Sequence, residues 1–172
     1  ICKMMEWSKK HVHCTFHLCW GVFAGLYYHY GITKQDRVPK LSGIYKHRIL
    51  KKNSPLFRGF DDVFYAPHSR ATEITKEQIL ACPELEIMAE SDEAGVTIVK
   101  SVDSRQLFVL CHLEYDADTL KLEYERDLAK GLNPQIPVNY FPDDDPTKAP
   151  VVNWRSAGQL LWTNWINYYV YQ

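Results

Sequence analysis

His17-Leu18-Cys19-Trp20-Gly21-Val22-Phe23-Ala24-Gly25 decides the reading of this chain. Upstream, Val12 to Leu18 is short and rich in β-branched and aromatic residues, which predicts a buried strand. Downstream, Trp20 to Tyr30 runs longer, carries Ala, Leu and Tyr at helical spacing, and meets Gly31 as a C-terminal stop. A strand that turns sharply into a helix places Cys19 at the carboxyl end of a sheet, where open α/β folds bind ligands. The helix start offers free N–H groups and a positive dipole end, so a thiol there is a candidate nucleophile on an elbow. Gly21 is expected to let the helix pack close to the strand. Taken alone, the motif is equally compatible with one more buried cysteine.

A second strand end carries matching chemistry. The strand expected over Gln106 to Cys111 runs into Cys111-His112-Leu113-Glu114-Tyr115-Asp116. In extended backbone, residues two apart point the same way, so Glu114 can fix the tautomer of His112 and stabilise its cation. Cys19, His112 and Glu114 then meet the requirements of nucleophile, base and orienting carboxylate. The competing reading, a polar strand end facing water, weakens once two strand-end signals converge on one face.

Composition sets the outer bounds. The 172 residues suit one domain able to bury a core. A net charge of −1 leaves no electrostatic footprint for nucleic acid or an anionic membrane. No apolar run is long enough to span a bilayer. Five cysteines, an odd count without a CxxC pair or signal-peptide pattern, point to a reduced cytoplasmic setting. The chain starts at Ile1 rather than Met, which suggests the later part of a longer protein.

Around the two strand ends the pattern predicts a helix over Ile1–Lys10, a loop from Ile32 to Lys40 and a strand from Leu41 to Leu50. Ala66-Pro67-His68-Ser69-Arg70 reads as a polar loop. Thr75 to Ala81 reads as a short helix with a Thr75–Gln78 capping box. Leu85–Ala89 and Gly95–Val102 are strands, the latter joined to the 106–111 strand by an Asp103-Ser104 turn. Asp116 to Lys130 is a helix capped by Asp116 or Asp118 and stopped by Gly131. Pro134 to Pro150 is an extended arm, and Trp154 to Tyr169 an aromatic helix forming a core or subunit face. The alternating His11, His13 and His17 lack a completing carboxylate or Cys for zinc, and Asp143-Asp144-Asp145 reads as a solvated loop rather than a cation site.

With those residues in view, the chain resembles the homoserine O-acyltransferases of methionine biosynthesis, over essentially its whole length. The matching blocks, in order, are Met5-Glu6-Trp7-Ser8, His17 to Gly21, Ala24-Gly25-Leu26-Tyr27-Tyr28, Arg58-Gly59-Phe60-Asp61-Asp62, Ala66 to Arg70, Glu114-Tyr115-Asp116 and Glu123-Tyr124-Glu125-Arg126-Asp127. The resemblance implies an α/β fold of the class I glutamine-amidotransferase-like (flavodoxin-like) type, a three-layer sandwich, here partial. Family proteins carry a further N-terminal part, so residues 1–172 are expected to be one catalytic domain truncated at its N-terminus. The family commonly has Gly and Pro beside the His, where this chain has Cys111 and Leu113. It commonly has Ala-Gln after the elbow Gly, where this chain has Val22-Phe23.

What the resemblance implies for residues is specific. Cys19 would carry the acyl thioester, with His112 as general base and Glu114 as its partner. Lys40, Ser69 and Arg126 match substrate-binding positions. Arg126 has the planar fork suited to the homoserine carboxylate. The backbone N–H of Trp20 is a reasonable oxyanion donor, with a second expected from the N-terminal part. The implied substrates are L-homoserine and acetyl- or succinyl-coenzyme A, with no other cofactor, no metal, and a possible homodimer. Two alternatives stay open at this point. One is a hydrolase or glutaminase on the same fold, disfavoured because His17 stands where glutaminase elbows usually carry Gly. The other is an inactive or purely interacting fragment.

Overall fold

The computed structural model describes residues 1–171. Its elements are α1 (Cys2–His11), β1 (Thr15–Leu18), α2 (Trp20–Tyr30), β2 (Gln35–Ile49), β3 (Val63–Glu73), α3 (Lys76–Leu80), β4 (Leu85–Ser91), β5 (Gly95–Ser101), β6 (Gln106–Val109), α4 (Thr119–Ala129) and α5 (Arg155–Trp165). The strands form one sheet in the order β1-β6-β5-β4-β2-β3. β1 and β6 run parallel, and the other neighbours run antiparallel.

Period-two alternation along the strands feeds two cores, one on each face of the sheet. Phe108 and Leu110 join Val22, Phe23 and Leu26 of α2 and Ile79 of α3. Leu107, Val109 and Cys111 join Leu120 of α4 and Trp154, Ala157 and Leu161 around α5. The aromatic C-terminal helix is therefore core: Trp154 is buried, and Trp162 stacks on Phe16 of β1 at 4.4 Å.

The caps follow the sequence. Gly31 ends α2 in the left-handed region at φ 68°. Thr75 and Gln78 form the reciprocal capping box of α3. Asp118, one of the two expected caps, stands at the N-cap of α4 without a side-chain cap bond, and the helix starts at Thr119.

Two expected loops are strand. β2 begins at Gln35, inside the expected Ile32–Lys40 loop, and pairs with β3 at Asp36–Thr72 before slipping to Leu41–Arg70. Four β2 residues, Arg37 to Lys40, thus stand against a single β3 residue, and this bulge carries Lys40 out of the ladder. Ala66–Arg70 lies in the middle of β3, with His68 and Arg70 buried. Its polar side chains are satisfied inside the protein rather than by water. Pro67 is tolerated because β3 is an edge strand, where one side needs no N–H donor.

The close approach of α2 to the sheet occurs at Gly25 and not at Gly21. A Cβ at Gly25 would stand 2.8 Å from His17 Nδ1 and 2.9 Å from Phe108 Cε1, whereas one at Gly21 would meet nothing within 4 Å. The arm after Pro134 is clipped to the sheet at Gly43, where Ile44 N–H donates to Val138 O at 2.8 Å and Val138 N–H to Ser42 O at 3.0 Å.

Candidate active site

The parallel β1–β6 pair brings the two expected strand ends together. Leu18 is in register with Val109, and the Cys19 N–H donates to Val109 O at 3.0 Å. Cys19 caps α2 with φ 47° and ψ −111°, a conformation a residue with a Cβ adopts only under strain. Its half-buried thiol thus stands at the helix entrance, and Trp20 is the first helical residue, whose N–H has no intrahelical acceptor.

β6 stops at Val109, so His112 and Glu114 meet across a turn rather than along an extended strand. His112 Nδ1 and Glu114 Oε1 are 2.6 Å apart, with the imidazole buried and the carboxylate a third exposed. The turn is fixed from several sides. His112 N–H donates to Pro67 O of β3 at 2.8 Å. Trp154 Nε1 donates to Tyr115 O at 3.0 Å, and Gly158 of α5 leaves room for Leu113 O where a Cβ would lie 2.6 Å away. Burial alone would depress the His112 pKa, but the Cys19 thiol and then the Glu114 carboxylate outweigh it and raise it to about 9. The imidazole Nε2 is buried and, with Nδ1 held by Glu114, is the nitrogen left for Cys19. The neighbouring Cys111 thiol is fully buried, and burial pushes its pKa far up, which suits an inert packing role.

Lys40, Ser69 and Arg126 belong to one polar network built on α4. Ser69 Oγ donates to Glu123 Oε2, and Lys40 Nζ lies 3.6 Å from the same oxygen. Lys40 also pairs with Asp127 Oδ2 at 3.4 Å, and Asp127 Oδ1 accepts from Arg126 Nε at 2.9 Å. Tyr115 donates to Glu123 Oε1 at 2.9 Å while its ring stacks on His112. A cleft of about 880 Å³ opens beside this network, lined by Lys40, Glu123 and Asp127 together with Arg37, Glu73 and Asn133, and Cys19 and His112 lie outside its lining. Sequence reasoning gave no role to Tyr115, Glu123, Asp127 or Pro67. All four fall in the quoted matching blocks, and Pro67 acts through its carbonyl, which no residue type announces.

Among the described residues, no group of three or more His, Cys, Asp or Glu is placed to hold a metal ion. His17 stacks on Phe108 at 4.7 Å, and Asp143 is paired with Lys148 at 2.6 Å. No helix among these residues is long and apolar enough to cross a membrane.

The profile of the family described as homoserine O-succinyltransferase matches residues 1–172. The chain belongs to this family. It is 58% identical over 172 residues to a homoserine O-acetyltransferase of Methanomethylophilus alvi, covering all of this chain and 56% of that protein. It is 59% identical over 170 residues to a homoserine O-acetyltransferase of Acetivibrio thermocellus, covering 99% of this chain and 56% of that protein. This homoserine O-succinyltransferase family member thus spans just over half the length of those relatives. A glutamine amidotransferase of Methylobacillus flagellatus superposes with a TM-score of 0.64 at 10% identity, covering 96% of this chain and 67% of that one. At that identity the likeness establishes the fold, of the class I glutamine-amidotransferase type, and not the reaction.

Proposed function

We propose that this chain carries the chemical centre of a homoserine O-acyltransferase acting in methionine biosynthesis, with Cys19 as acyl carrier, His112 as proton carrier and Glu114 as its orienting partner. The observation that carries the reading is the convergence of a strained elbow cysteine, at φ 47°, with an imidazole whose Nδ1 is held at 2.6 Å by a carboxylate. In the first step His112 takes the proton of the Cys19 thiol. The thiolate attacks the thioester carbonyl of acyl-coenzyme A, and the Trp20 N–H faces the developing oxyanion from the helix start. The tetrahedral intermediate collapses, coenzyme A leaves as a thiol with the proton from His112, and acyl-Cys19 remains. Neutral His112 then takes the proton of the homoserine hydroxyl as that oxygen attacks acyl-Cys19. The Cys19 thiolate departs and takes the proton back from His112, and O-acylhomoserine is released. Lys40, Ser69 and Arg126 supply a cation, a hydroxyl and a guanidinium fork for substrate on the network side of the site.

The family and its relatives carry succinyl- and acetyltransferase names respectively, so the donor is tested directly. The intact protein is mixed with acetyl- or succinyl-coenzyme A without homoserine, and the Cys19 peptide is weighed. A single acyl group on Cys19 that leaves when L-homoserine is added is the expected result, and the faster donor identifies the acyl group. Ammonia release from glutamine with no acyl adduct would replace this reading with a glutaminase on the same fold.

A further inference from the structure

Behind the site lies a polar cluster that the acyl-transfer chemistry does not use. His47 of β2 and His68 of β3 are both fully buried, their Nε2 atoms 2.9 Å apart and their rings stacked at 5.1 Å. Arg70 is also buried. Its Nε faces His68 Nδ1 at 3.5 Å, Nη1 donates to Thr72 O at 2.7 Å, and Nη2 donates to Ala94 O. Every one of these acceptors is neutral, and among the described residues no carboxylate lies within ion-pair distance of the guanidinium. The direction of the chain is set by Arg70, which only donates. His68 must accept at Nδ1, so when neutral it carries its proton on Nε2 and donates to His47. Burial holds His68 neutral, its pKa well below the ordinary histidine value, and lowers that of His47 to about 4.

Burying two imidazoles and a guanidinium where apolar side chains would pack is costly. Their position gives a reason. Along β3, side chains alternate between faces, so His68 and Arg70 point to one side and Ser69 to the other. From this short segment Pro67 O accepts the His112 N–H at 2.8 Å, and Ser69 Oγ donates to Glu123. Holding His68 and Arg70 from behind fixes both of these forward contacts.

We propose that the His47–His68–Arg70 unit is a positioning device that holds the Pro67–Ser69 segment, and through it His112, at the distance Cys19 requires. The inference rests on the Cys19–His112 pairing proposed above. It assigns no contact with substrate to the three residues. They act through the backbone carbonyl of Pro67 and the hydroxyl of Ser69, beside the direct charge interaction of Arg70 with Cys19, which Arg70→Lys keeps.

The test is the rate of Cys19 alkylation by iodoacetamide between pH 5.5 and 9.5, read by peptide mass spectrometry on the intact protein, with near-ultraviolet circular dichroism reporting the fold. Wild type and His112→Ala set the two limits. Near pH 6.5 the wild type should react about tenfold or more faster, because only it has an imidazole to take the thiol proton. His68→Leu keeps the volume and removes both hydrogen bonds, so its profile should move most of the way to the His112→Ala limit. His68→Gln, whose amide both accepts and donates, should restore the wild-type profile. Arg70→Lys, which keeps the charge but loses the fork, should shift the profile in the same direction as His68→Leu, and it decides the matter if His68→Leu does not fold. A folded His68→Leu or Arg70→Lys protein with a wild-type profile overturns the positioning role. A wild-type profile in His112→Ala overturns instead the pairing on which it rests.

Discussion

Tyr115 lies flat on His112, with ring centroids 4.2 Å apart and planes 22° from parallel, and donates its hydroxyl hydrogen to Glu123 Oε1 at 2.9 Å. One side chain therefore joins His112 to the network that holds Ser69 and Lys40. Tyr115→Phe keeps the stack and deletes only the bond to the carboxylate. A hydrogen bond to a charged group contributes about 1.5–3 kcal/mol, and the partial exposure of Glu123 places this one at the low end. The expected outcome is near-normal acylation of Cys19 and a transfer to homoserine slowed roughly tenfold, read by rapid quench of each half-reaction. Slowed acylation with normal transfer would instead tie the hydroxyl to His112 orientation.

The raised pKa of His112 makes stability depend on pH in a defined direction. Burial alone would lower that pKa, but Cys19 and Glu114 raise it to about 9 in the folded chain, against 6.5 as its ordinary value. The stabilisation is fully present below about pH 6.5 and is lost as pH rises through about 9. It amounts to a contribution on the order of 3 kcal/mol. Urea midpoints measured from pH 6 to 10 should fall across that window, and the fall should be shallower in Glu114→Gln. An equal slope in both proteins would show that Glu114 does not hold the imidazolium.

Gly25→Ala should destabilise the chain and Gly21→Ala should not. At Gly25 the new methyl would press on the His17 and Phe108 rings, which are packed on each other and cannot retreat cheaply. Overpacking of this kind costs about 1–3 kcal/mol. At Gly21 the methyl meets nothing, and replacing a helical glycine by alanine gains about 0.5–1 kcal/mol. Thermal unfolding of the two variants should move in opposite directions.

The elbow and the α2 helix with its Gly31 stop were legible because each rests on local chemistry, a period and a cap, whereas the His112–Glu114 pair was expected along an extended strand and is made across a turn. The glycine that lets α2 approach the sheet was misplaced because the contact is made by His17 and Phe108, one of them 83 residues away from Gly25. Likewise, His68 and Arg70 read as part of a polar loop because polarity in a sequence ordinarily marks water. Only the fold shows that His47 and two backbone carbonyls stand in for that water. The bulge that presents Lys40 escaped for a related reason. It is a mismatch in register between two strands and has no signature in either strand alone.

Cys19→Gly should raise stability while abolishing the acyl adduct. The backbone at φ 47°, ψ −111° is strained for a residue with a Cβ and open to glycine. Relief of such strain contributes about 1–3 kcal/mol, less the entropy glycine gains in the unfolded chain. A net rise in melting temperature is expected relative to Cys19→Ala, which removes the thiol and keeps the Cβ. If the glycine variant melts below the alanine variant, the elbow is not under strain.

Arg126 offers the sharpest separation of the two half-reactions proposed above. Its side chain is half exposed on α4, and Nε and Nη2 both reach Asp127 Oδ1, at 2.9 and 2.8 Å. Asp127 also holds Lys40, so a homoserine carboxylate arriving at Arg126 would take over part of a guanidinium already oriented by its neighbour. Arg126→Lys keeps the positive charge and loses the planar fork that binds a carboxylate through two parallel bonds. Acylation of Cys19 involves no homoserine and should proceed at a near-normal rate. Transfer should slow by roughly ten- to a hundredfold, so that acyl-Cys19 accumulates and the KM for homoserine rises. Asp127→Asn, which leaves the guanidinium intact but unoriented, should give a smaller loss in the same step. The measurement is rapid mixing of the intact protein with acyl-coenzyme A, followed by homoserine, with the Cys19 adduct counted by mass spectrometry at each time. Slowed acylation with unchanged transfer would place Arg126 on the coenzyme A side of the site.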